Sequence, residues 1–139
     1  MAHVKIWIHA VWGTKNRHRY LTKEIREKVI SHIKQNAKQK GIYIDSVNGY
    51  DEHLHCLLSL NADISIAKAM QLIKGESAFW INKEKITSTK FEWAVEYYAA
   101  SVSESVLPKV RAYIKNQEEH HKKTTFQEEY EEFIKNYPF

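Results

Sequence analysis

Apolar residues repeat along the chain with two different periods, and each period predicts one kind of element. Where they alternate with polar residues, or cluster with β-branched and aromatic ones, strands are expected. The strands predicted in this way are 4–12, 42–50, 53–60 and 91–103, the last as one broken strand or two short ones. Asn48 and Gly49 at the end of the second strand, with Asp51 after it, join this strand to the third. Such turn residues favour an antiparallel hairpin.

Between and after the strands, apolar residues recur every three or four positions, which predicts helices. The predicted starting residues of these helices are Thr22, Asp63 or Ser65, Ser105 and Thr125. Gly41 ends the first helix, and Pro108 lies in the first turns of the third. Thr125 and Glu128 have the spacing of a capping box, in which each side chain satisfies a backbone amide of the other residue.

The order of these elements is strand, helix, strand, strand, helix, strand, followed by further helices. This is the order of a ferredoxin-like split βαβ fold. We therefore expect an α+β protein, with an antiparallel sheet, helices on one face and additional C-terminal helices. Of the 139 residues, 43% are hydrophobic and 27% are charged, as in ordinary globular proteins. No repeat or linker-like segment interrupts the sequence, so a single domain over 1–139 is predicted.

The charged residues are unevenly distributed along the chain. The formal net charge is +4, which by itself is a weak indication of a polyanionic partner. The cluster directly after the first strand consists of Lys15, Arg17, His18 and Arg19. The last helix carries instead Glu128, Glu129, Glu131 and Glu132, which are expected to face water. One end of the molecule is therefore predicted to bind phosphate groups.

The chain has a single cysteine, Cys56, which cannot form an internal disulfide bond. Because it lies in an apolar run, we expect it to be buried in a protein of a reducing compartment. No apolar stretch approaches the roughly 18 residues that are needed to cross a membrane. The N-terminal segment lacks the apolar core of a signal peptide. These features predict a cytoplasmic protein that has no membrane partner.

Two pairs of residues carry candidate chemistry. On a strand, His53 and His55 point to the same face, where two neutral imidazoles suit a divalent cation. The alternative is an exposed strand end with no ligand. On a helix, Tyr113 and Gln117 are four residues apart and lie on one face. The alternative for Tyr113 is a core residue with its hydroxyl at the edge, and for Gln117 it is contact with solvent alone.

Taken together, these residues resemble the single-tyrosine HUH transposases, which move bacterial insertion sequences as single-stranded DNA. His53-Leu54-His55 matches the histidine, hydrophobic residue, histidine motif of that family. The other segments that carry the resemblance are IHAVWGTKNRHRYLT, IKGESAFW, ASVSES and YIKNQEEHHKKTTFQEEY, in the family's order over nearly the whole length. The chain departs from the family at EYYAASVS, where glycine and phenylalanine often precede SVS. This departure affects local packing and not the reacting groups.

The resemblance implies a strand-transfer reaction and assigns it to four residues. Tyr113 is the implied nucleophile, which forms a 5′-phosphotyrosine bond and releases a 3′-hydroxyl. His53, His55 and Gln117 are the implied ligands of a divalent metal ion, Mg²⁺ or Mn²⁺. Because the bond energy is kept in the phosphotyrosine ester, a second 3′-hydroxyl can rejoin the DNA. No nucleotide cofactor is needed.

The resemblance also implies the partners. The family's enzymes bind single-stranded DNA hairpins at the ends of the mobile element. Two subunits usually pair, and the tyrosine helix of one can complete the histidine site of the other, so a homodimer is expected. The segment SESVLP, 103–108, is the candidate hinge of that helix. The sequence leaves open whether the site is assembled within one chain or between two.

The candidates for phosphate contacts are Lys15, Arg17, Arg19 and Lys74. The alternative for these residues is a solvated charged face. Trp12 and Trp80 are candidate platforms on which bases stack, and their alternative is a place in the core.

Two other functions compete with strand transfer. The first is a non-catalytic protein that binds single-stranded nucleic acid on the same fold, as a decayed or domesticated transposase does. The second is a metallohydrolase or zinc site, whose ligands are His53, His55, His120 and His121. The adjacent pair argues mildly against this second function, because neighbours on a helix point about 100° apart.

Overall fold

The computed structural model describes residues 3–136. Residues 1–2 and 137–139, which the predicted domain includes, lie outside the described residues. Within the described part, no helix has both the length and the apolar composition needed to cross a membrane.

One antiparallel sheet forms the centre of the molecule. Its strands are β1 (Ile6–Gly13), β2 (Tyr43–Tyr50), β3 (His53–Leu60) and β4 (Tyr98–Val102). Their order across the sheet is β2-β3-β1-β4, and all neighbours are antiparallel. The predicted ferredoxin-like fold is therefore confirmed. The segment 91–103 forms β4 and, before it, an isolated bridge between Trp93 and Thr14, as the expectation of two short strands allowed.

The antiparallel hairpin between β2 and β3 is confirmed, but of its predicted turn residues only Asp51 lies in the turn. Asn48 and Gly49 lie inside β2, opposite His55 and Leu54, and the turn consists of Asp51 and Glu52. The strands pair up to Tyr50 and His53, which leaves only two residues for the turn. Gly49 is required where it lies, because a Cβ atom there would collide with the carbonyl oxygen of His53. The asparagine-glycine pair thus permits close strand packing and does not make the turn.

The two long helices cover one face of the sheet. They are α1 (Lys23–Gln39) and α2 (Ile66–Lys83). Ser65 caps α2 by accepting a hydrogen bond from the Lys68 amide, whereas the Thr22 side chain makes no such bond to α1. The main core lies between these helices and the sheet. Its sheet residues include Ile8, Ala10, Trp12, Leu54, Cys56 and Leu58.

The opposite face of the sheet is covered by three shorter helices near the C-terminus. They are α3 (Leu107–Lys115), α4 (Gln117–His120) and α5 (Phe126–Asn136). The predicted start of α3 at Ser105 is wrong, because Glu104–Val106 forms a separate 3-10 turn. Thr125 and Glu128 form the predicted capping box of α5.

The expected continuous helix through Tyr113 and Gln117 is interrupted. Asn116 leaves the helical path between α3 and α4, so Tyr113 and Gln117 belong to different helices. The two residues still lie close together, because the Gln117 Nε2 donates to the Tyr113 carbonyl oxygen at 3.3 Å.

Because side chains alternate along a strand, β1 and β3 contribute to both faces. On the second face, Leu57 packs against Leu107 and Ile114, and Val11 packs against Phe126. His53 and His55 share this face with Leu57, as the period of two requires. The histidine pair therefore lies between the sheet and the C-terminal helices.

Polar contacts hold α3 and α4 on the sheet of the same chain. The Arg111 guanidinium donates two hydrogen bonds of 2.9 Å to the Asp45 carboxylate on β2. Arg26 of α1, 3% exposed, donates to the Leu21 carbonyl oxygen and to Glu118 of α4, both at 2.7 Å. Two helices that carry candidate site residues are thus fixed from two directions.

Candidate active site

Four side chains from three parts of the chain converge on the second face of the sheet. They are His53 and His55 of β3, His121 directly after α4, and Glu129 of α5. Each of them offers one nitrogen or oxygen atom, and these atoms lie within 4.8 Å of one another. His53 and His55 are completely buried, and Glu129 is 2% exposed. The predicted histidine pair is therefore part of a larger buried polar cluster.

Each imidazole is oriented through its Nδ1 atom. The Nδ1 of His53 lies 2.7 Å from the Glu52 carboxylate, and the Nδ1 of His55 lies 2.9 Å from the Nε2 of His9. The Nδ1 of His121 lies 2.7 Å from the Thr124 carbonyl oxygen. All three Nε2 atoms consequently face the centre of the cluster. Second residues that fix an imidazole in this way are typical of metal-binding histidines.

Gln117 belongs to the same cluster. Its side chain is completely buried, and its Oε1 lies 3.1 Å from the Nε2 of His53 and 2.9 Å from the Nε2 of His121. Of the residues that the family resemblance assigns to a metal, all three therefore meet at one place.

Tyr113 is half-buried at the edge of the cluster. Its hydroxyl group donates a hydrogen bond to the Oε2 of Glu129 and lies 3.3 Å from the Nε2 of His120. The centres of the Tyr113 and His55 rings are 5.5 Å apart. One carboxylate thus contacts both the phenol and the paired imidazoles, within a single chain.

Burial determines the protonation of two of the histidines. It lowers the pKa of His55 to about 3 and that of His9 to about 4, so both are neutral at physiological pH. For His53, burial alone would lower the pKa, but the carboxylates of Glu129 and Glu52 outweigh it and raise the pKa. Neutral imidazoles are the form that binds metal ions.

The carboxylate and the phenol have opposite shifts. Burial alone would raise the pKa of Glu129, but the imidazoles of His121, His53 and His55 hold it well below its usual range. Burial and the hydrogen bond to Glu129 raise the pKa of Tyr113 far above that of a free phenol. In this conformation, Tyr113 is therefore protonated and Glu129 is ionised.

Aromatic residues of α5 pack against the histidines and thereby position Glu129 next to them. The Phe126 ring stacks on the His53 ring at 4.0 Å between centres, with an angle of 2° between the planes. The Arg17 guanidinium also lies over the Phe126 ring, 4.7 Å from its centre. Phe133 packs against the His55 ring, with 6.0 Å between centres. The helix is thus held on the site at both of its ends.

An open pocket of about 500 Å³ lies beside Tyr113. Lys109 and Lys123 are among the residues that line it, together with Tyr113 and His120. Glu119 also lines the pocket, so its two lysines leave a small excess of positive charge for a phosphate group next to the phenol.

The basic residues predicted to contact DNA have different environments. Lys15 pairs with Glu92 at 3.1 Å, Arg17 with Glu96 at 3.7 Å and Arg19 with Asp51 at 3.3 Å, all on or near the surface. The ammonium group of Lys74 instead donates to the carbonyl oxygens of Ala94 and Val95, at 2.8 and 3.0 Å.

The two candidate stacking residues lie away from the cluster. Trp12 is completely buried in the main core, which agrees with its alternative interpretation. Trp80 stacks on His32 of α1 with 4.0 Å between ring centres.

Sequence reasoning missed Glu129, which was expected to face water with the other glutamates of the last helix. That expectation is wrong, because Glu129 is buried among the histidines.

The spacing of residues along α5 does indicate that Glu129 is buried. Glu129 lies three residues after Phe126 and four before Phe133, so it shares the face of α5 that packs on the sheet. The adjacent pair His120 and His121 reaches one carboxylate from two sides, through its different oxygens.

Comparison with known proteins identifies the family. A family model described as "Transposase IS200 like" matches residues 2–117, which is most of the chain. The chain belongs to the IS200-like transposase family. The match covers the sheet and α3 and ends at Gln117, so α5 and Glu129 lie beyond it.

Individual members of the IS200-like family match over most of their length. The ISDra2 transposase TnpA of Deinococcus radiodurans is 27% identical over 115 residues, which are 78% of this chain and 81% of that protein. The transposase for insertion sequence element IS200 of Salmonella typhimurium is 28% identical over 120 residues, 82% of this chain and 78% of that protein.

Two solved structures share the fold of this IS200-like transposase. The first is a crystal structure described as that of a putative transposase from Deinococcus radiodurans R1. It has a TM-score of 0.65 and 25% identity, and the match covers 84% of this chain and 93% of that one. A REP-associated tyrosine transposase bound to a REP hairpin has a TM-score of 0.58 and 15% identity, with 88% and 71% covered. The second likeness concerns the fold alone.

Proposed function

We propose that this transposase cleaves and rejoins single-stranded DNA through a covalent bond between Tyr113 and a 5′-phosphate. One observation carries the proposal. The Tyr113 hydroxyl lies next to a buried cluster of imidazoles that includes the His53 and His55 pair, with only the Glu129 carboxylate between them. A nucleophile and a candidate cation site therefore reach the same phosphate group.

In the proposed step, the phenolic oxygen of Tyr113 attacks the phosphorus of a DNA phosphodiester. The new bond joins phosphorus to the tyrosine oxygen, and the bond from phosphorus to the 3′-oxygen breaks. The 3′-oxygen takes up one proton and the phenol loses one, so a free 3′-hydroxyl and a 5′-phosphotyrosine remain. Attack by the 3′-hydroxyl of a second strand reverses the step and joins new DNA without an external energy source.

A divalent metal ion fits the convergent donor atoms, and we propose that His53, His55 and Gln117 hold it. When bound, such an ion neutralises charge on a phosphate oxygen and makes the phosphorus more electrophilic. Other residues of the chain hold the ligands in the orientation that the ion needs. Glu52 and His9 fix the imidazoles of His53 and His55, so that the nitrogens which face the site need no reorientation.

The helix α5 protects the intermediate in this proposal. Phe126 and Phe133 cover the histidine pair, which limits the access of water to a phosphotyrosine formed at Tyr113. Since the Tyr113 hydroxyl donates a hydrogen bond to Glu129, the phenol has to leave this hydrogen bond before or during attack. The basic pocket with Lys109 and Lys123 is the proposed route by which the phosphate approaches.

Single-stranded DNA with a hairpin is the proposed substrate. A related fold is known with a bound REP hairpin. In this chain, Arg17 lies over the Phe126 ring and Arg19 lies 3.8 Å from Glu52, both beside the site. Lys15, Arg17 and Arg19 pair mainly with exposed or half-exposed carboxylates, and such ion pairs contribute little, so phosphates can replace these partners at small cost. The phosphate contact of Lys74 stays a prediction, and its ammonium group also donates to two backbone carbonyl oxygens.

A covalent adduct tests the proposal. The protein is incubated with Mn²⁺ and labelled single-stranded DNA from the regions that flank its gene, and the products are separated on a denaturing protein gel. We expect a labelled protein band from the unmutated chain, its loss in Tyr113→Phe, and its retention in the control Tyr43→Phe, whose ring is exposed on β2.

Two results would contradict the proposal. DNA that is bound but never joined to the unmutated protein would indicate a non-catalytic binding protein. Cleaved DNA with a free 5′-phosphate and no adduct would indicate hydrolysis by a metal site instead.

A further inference from the structure

We propose that His121 and Glu129 are themselves metal ligands, so that the site holds a transition-metal ion with three imidazoles and one carboxylate. This inference rests on the proposed function and changes its ligand set. The carboxylate comes from α5, which lies beyond the part of the chain that matches the family model. The C-terminal helix thus becomes a part of the metal site.

The hydrogen-bond donors of the cluster point away from its centre. A carbonyl oxygen can only accept, so the Nδ1 of His121 carries a hydrogen and donates it to Thr124. The Glu52 carboxylate likewise accepts from the Nδ1 of His53. In a neutral imidazole the other nitrogen then has a lone pair and no hydrogen. In the neutral form that binds a metal ion, the Nε2 atoms of His53 and His121 therefore present lone pairs to the centre.

The atoms that face these lone pairs are also acceptors. The Oε1 of Glu129 lies 2.9 Å from the Nε2 of His55, 3.3 Å from that of His121 and 3.4 Å from that of His53. With neutral imidazoles these contacts join acceptor to acceptor and repel, so the cluster needs either a proton or a metal ion between its atoms. A cation at the centre removes the repulsion, because each lone pair then has a positive partner.

The spacing of these atoms is that of neighbouring ligands around one ion. Bonds of about 2.1 Å from a metal ion place adjacent ligands about 3.0 Å apart in an octahedral site and about 3.4 Å apart in a tetrahedral one. The distances from the Glu129 Oε1 to the three nitrogens run from 2.9 to 3.4 Å. The distances between the carboxylate and the imidazoles therefore suit one ion, and the four ligand atoms as a set lie within 4.8 Å of one another.

The donor set selects the kind of metal. Three imidazole nitrogens and a single carboxylate favour Mn²⁺, Co²⁺, Ni²⁺ or Zn²⁺, whereas Mg²⁺ prefers oxygen ligands and retained water. With Gln117 as a further ligand, a six-coordinate ion such as Mn²⁺ would keep one position open for a phosphate oxygen. A tetrahedral Zn²⁺ would have no open position, because the protein fills all four.

Calorimetric titration of the metal-free protein with Mn²⁺ tests this ligand set without any measurement of activity. The variants are Glu129→Gln and His121→Asn, which keep the size of the side chains. The matched control is Glu131→Gln, which makes the same change of charge on the exposed side of α5. We expect the dissociation constant for Mn²⁺ to rise about tenfold or more in both variants and to stay within twofold in the control.

The inference is overturned if both variants bind Mn²⁺ as tightly as the unmutated protein while His55→Ala does not. It is also overturned if Mg²⁺ binds as tightly as Mn²⁺. Circular dichroism melting of each variant verifies that it is folded, and the two substitutions on different helices give independent readings. If either variant is unfolded, the other decides.

Failure of this inference differs from failure of the proposed function. Suppose that a DNA adduct forms with Tyr113 and that the Glu129 and His121 substitutions leave the dissociation constant for Mn²⁺ unchanged. The proposed ligand set would then be refuted, and the strand-transfer proposal would be unaffected. Mn²⁺ binding that depends on Glu129, without any DNA adduct, would refute strand transfer and leave the metal site.

Discussion

At the scale of single residues, the orientation of each imidazole is set by a partner outside the four candidate metal ligands. His9 is the clearest of these partners. It is buried, it lies on the neighbouring strand β1, and its Nε2 is 2.9 Å from the Nδ1 of His55. The two rings are nearly parallel, with 25° between their planes. His9 therefore acts on the site through His55, as a positioning residue.

Replacing His9 by phenylalanine removes this partner and keeps most of the ring volume. We expect His9→Phe to weaken Mn²⁺ binding by about 10- to 100-fold, because His55 loses the contact that fixes its orientation. The control is His32→Phe on the other face of the sheet, where His32 stacks on Trp80 and contacts Glu76. Calorimetric titration measures the dissociation constant of each variant for Mn²⁺. Equal values for His9→Phe and His32→Phe would contradict the role of His9.

At the scale of elements, the site depends on how closely α5 approaches the sheet. Gly13 is the last residue of β1 and lies opposite His53 in the sheet. A Cβ atom at Gly13 would come within 2.7 Å of the Phe126 ring and 2.8 Å of the Arg17 guanidinium. The absence of a side chain at this position is what lets α5 bring Glu129 to the histidines.

The substitution Gly13→Ala should therefore push Phe126 and α5 away from the sheet. We expect a loss of about 1 to 3 kcal/mol in the free energy of unfolding, as for other overpacked sites. The matched control Gly75→Ala, in the exposed interior of α2 with open space around it, should gain about 0.5 to 1 kcal/mol. Urea denaturation measures both values. If Gly13→Ala were as stable as the unmutated protein or more stable, this would contradict the close packing of α5 against Gly13.

The elements also show how far local patterns predict this molecule. The strands and their faces were predictable, because the period of two is a local property and places Leu54 and Cys56 opposite His53 and His55. The hairpin and its turn residue Asp51 were predictable too, but the place of Asn48 and Gly49 inside β2 was not, because it depends on strand pairing that continues to Tyr50 and His53. The break at Asn116 and the burial of Glu129 depend on packing against the sheet, which a sequence window does not contain.

At the scale of the whole molecule, the contacts bring Tyr113 and the histidine pair together within one chain. Arg111, Arg26 and Asn48 fasten α3 and α4 to α1 and β2 of the same chain. The homodimer implied by the family resemblance stays a prediction. Pairing of two copies is compatible with two sites that are each complete within one subunit.

A mixing experiment distinguishes assembly within a chain from assembly between chains. We expect an equimolar mixture of Tyr113→Phe and His55→Ala to form no DNA adduct, because neither chain holds a complete site. If the tyrosine helix of one subunit served the histidines of the other, mixed dimers would combine an intact His55 with an intact Tyr113. Restored adduct formation in the mixture would thus contradict assembly within one chain.

The central claim, that Tyr113 carries the DNA, has a direct measurement in the mass of one peptide. Trypsin cleaves after Arg111 and Lys115, so Tyr113 lies in the four-residue peptide Ala112–Lys115. After reaction with a single-stranded oligonucleotide and nuclease trimming, this peptide should carry the mass of the residual 5′-phosphorylated nucleotides on its tyrosine. Nucleotides attached to any other tyrosine, or an unmodified peptide in protein that has cleaved its DNA, would contradict the account.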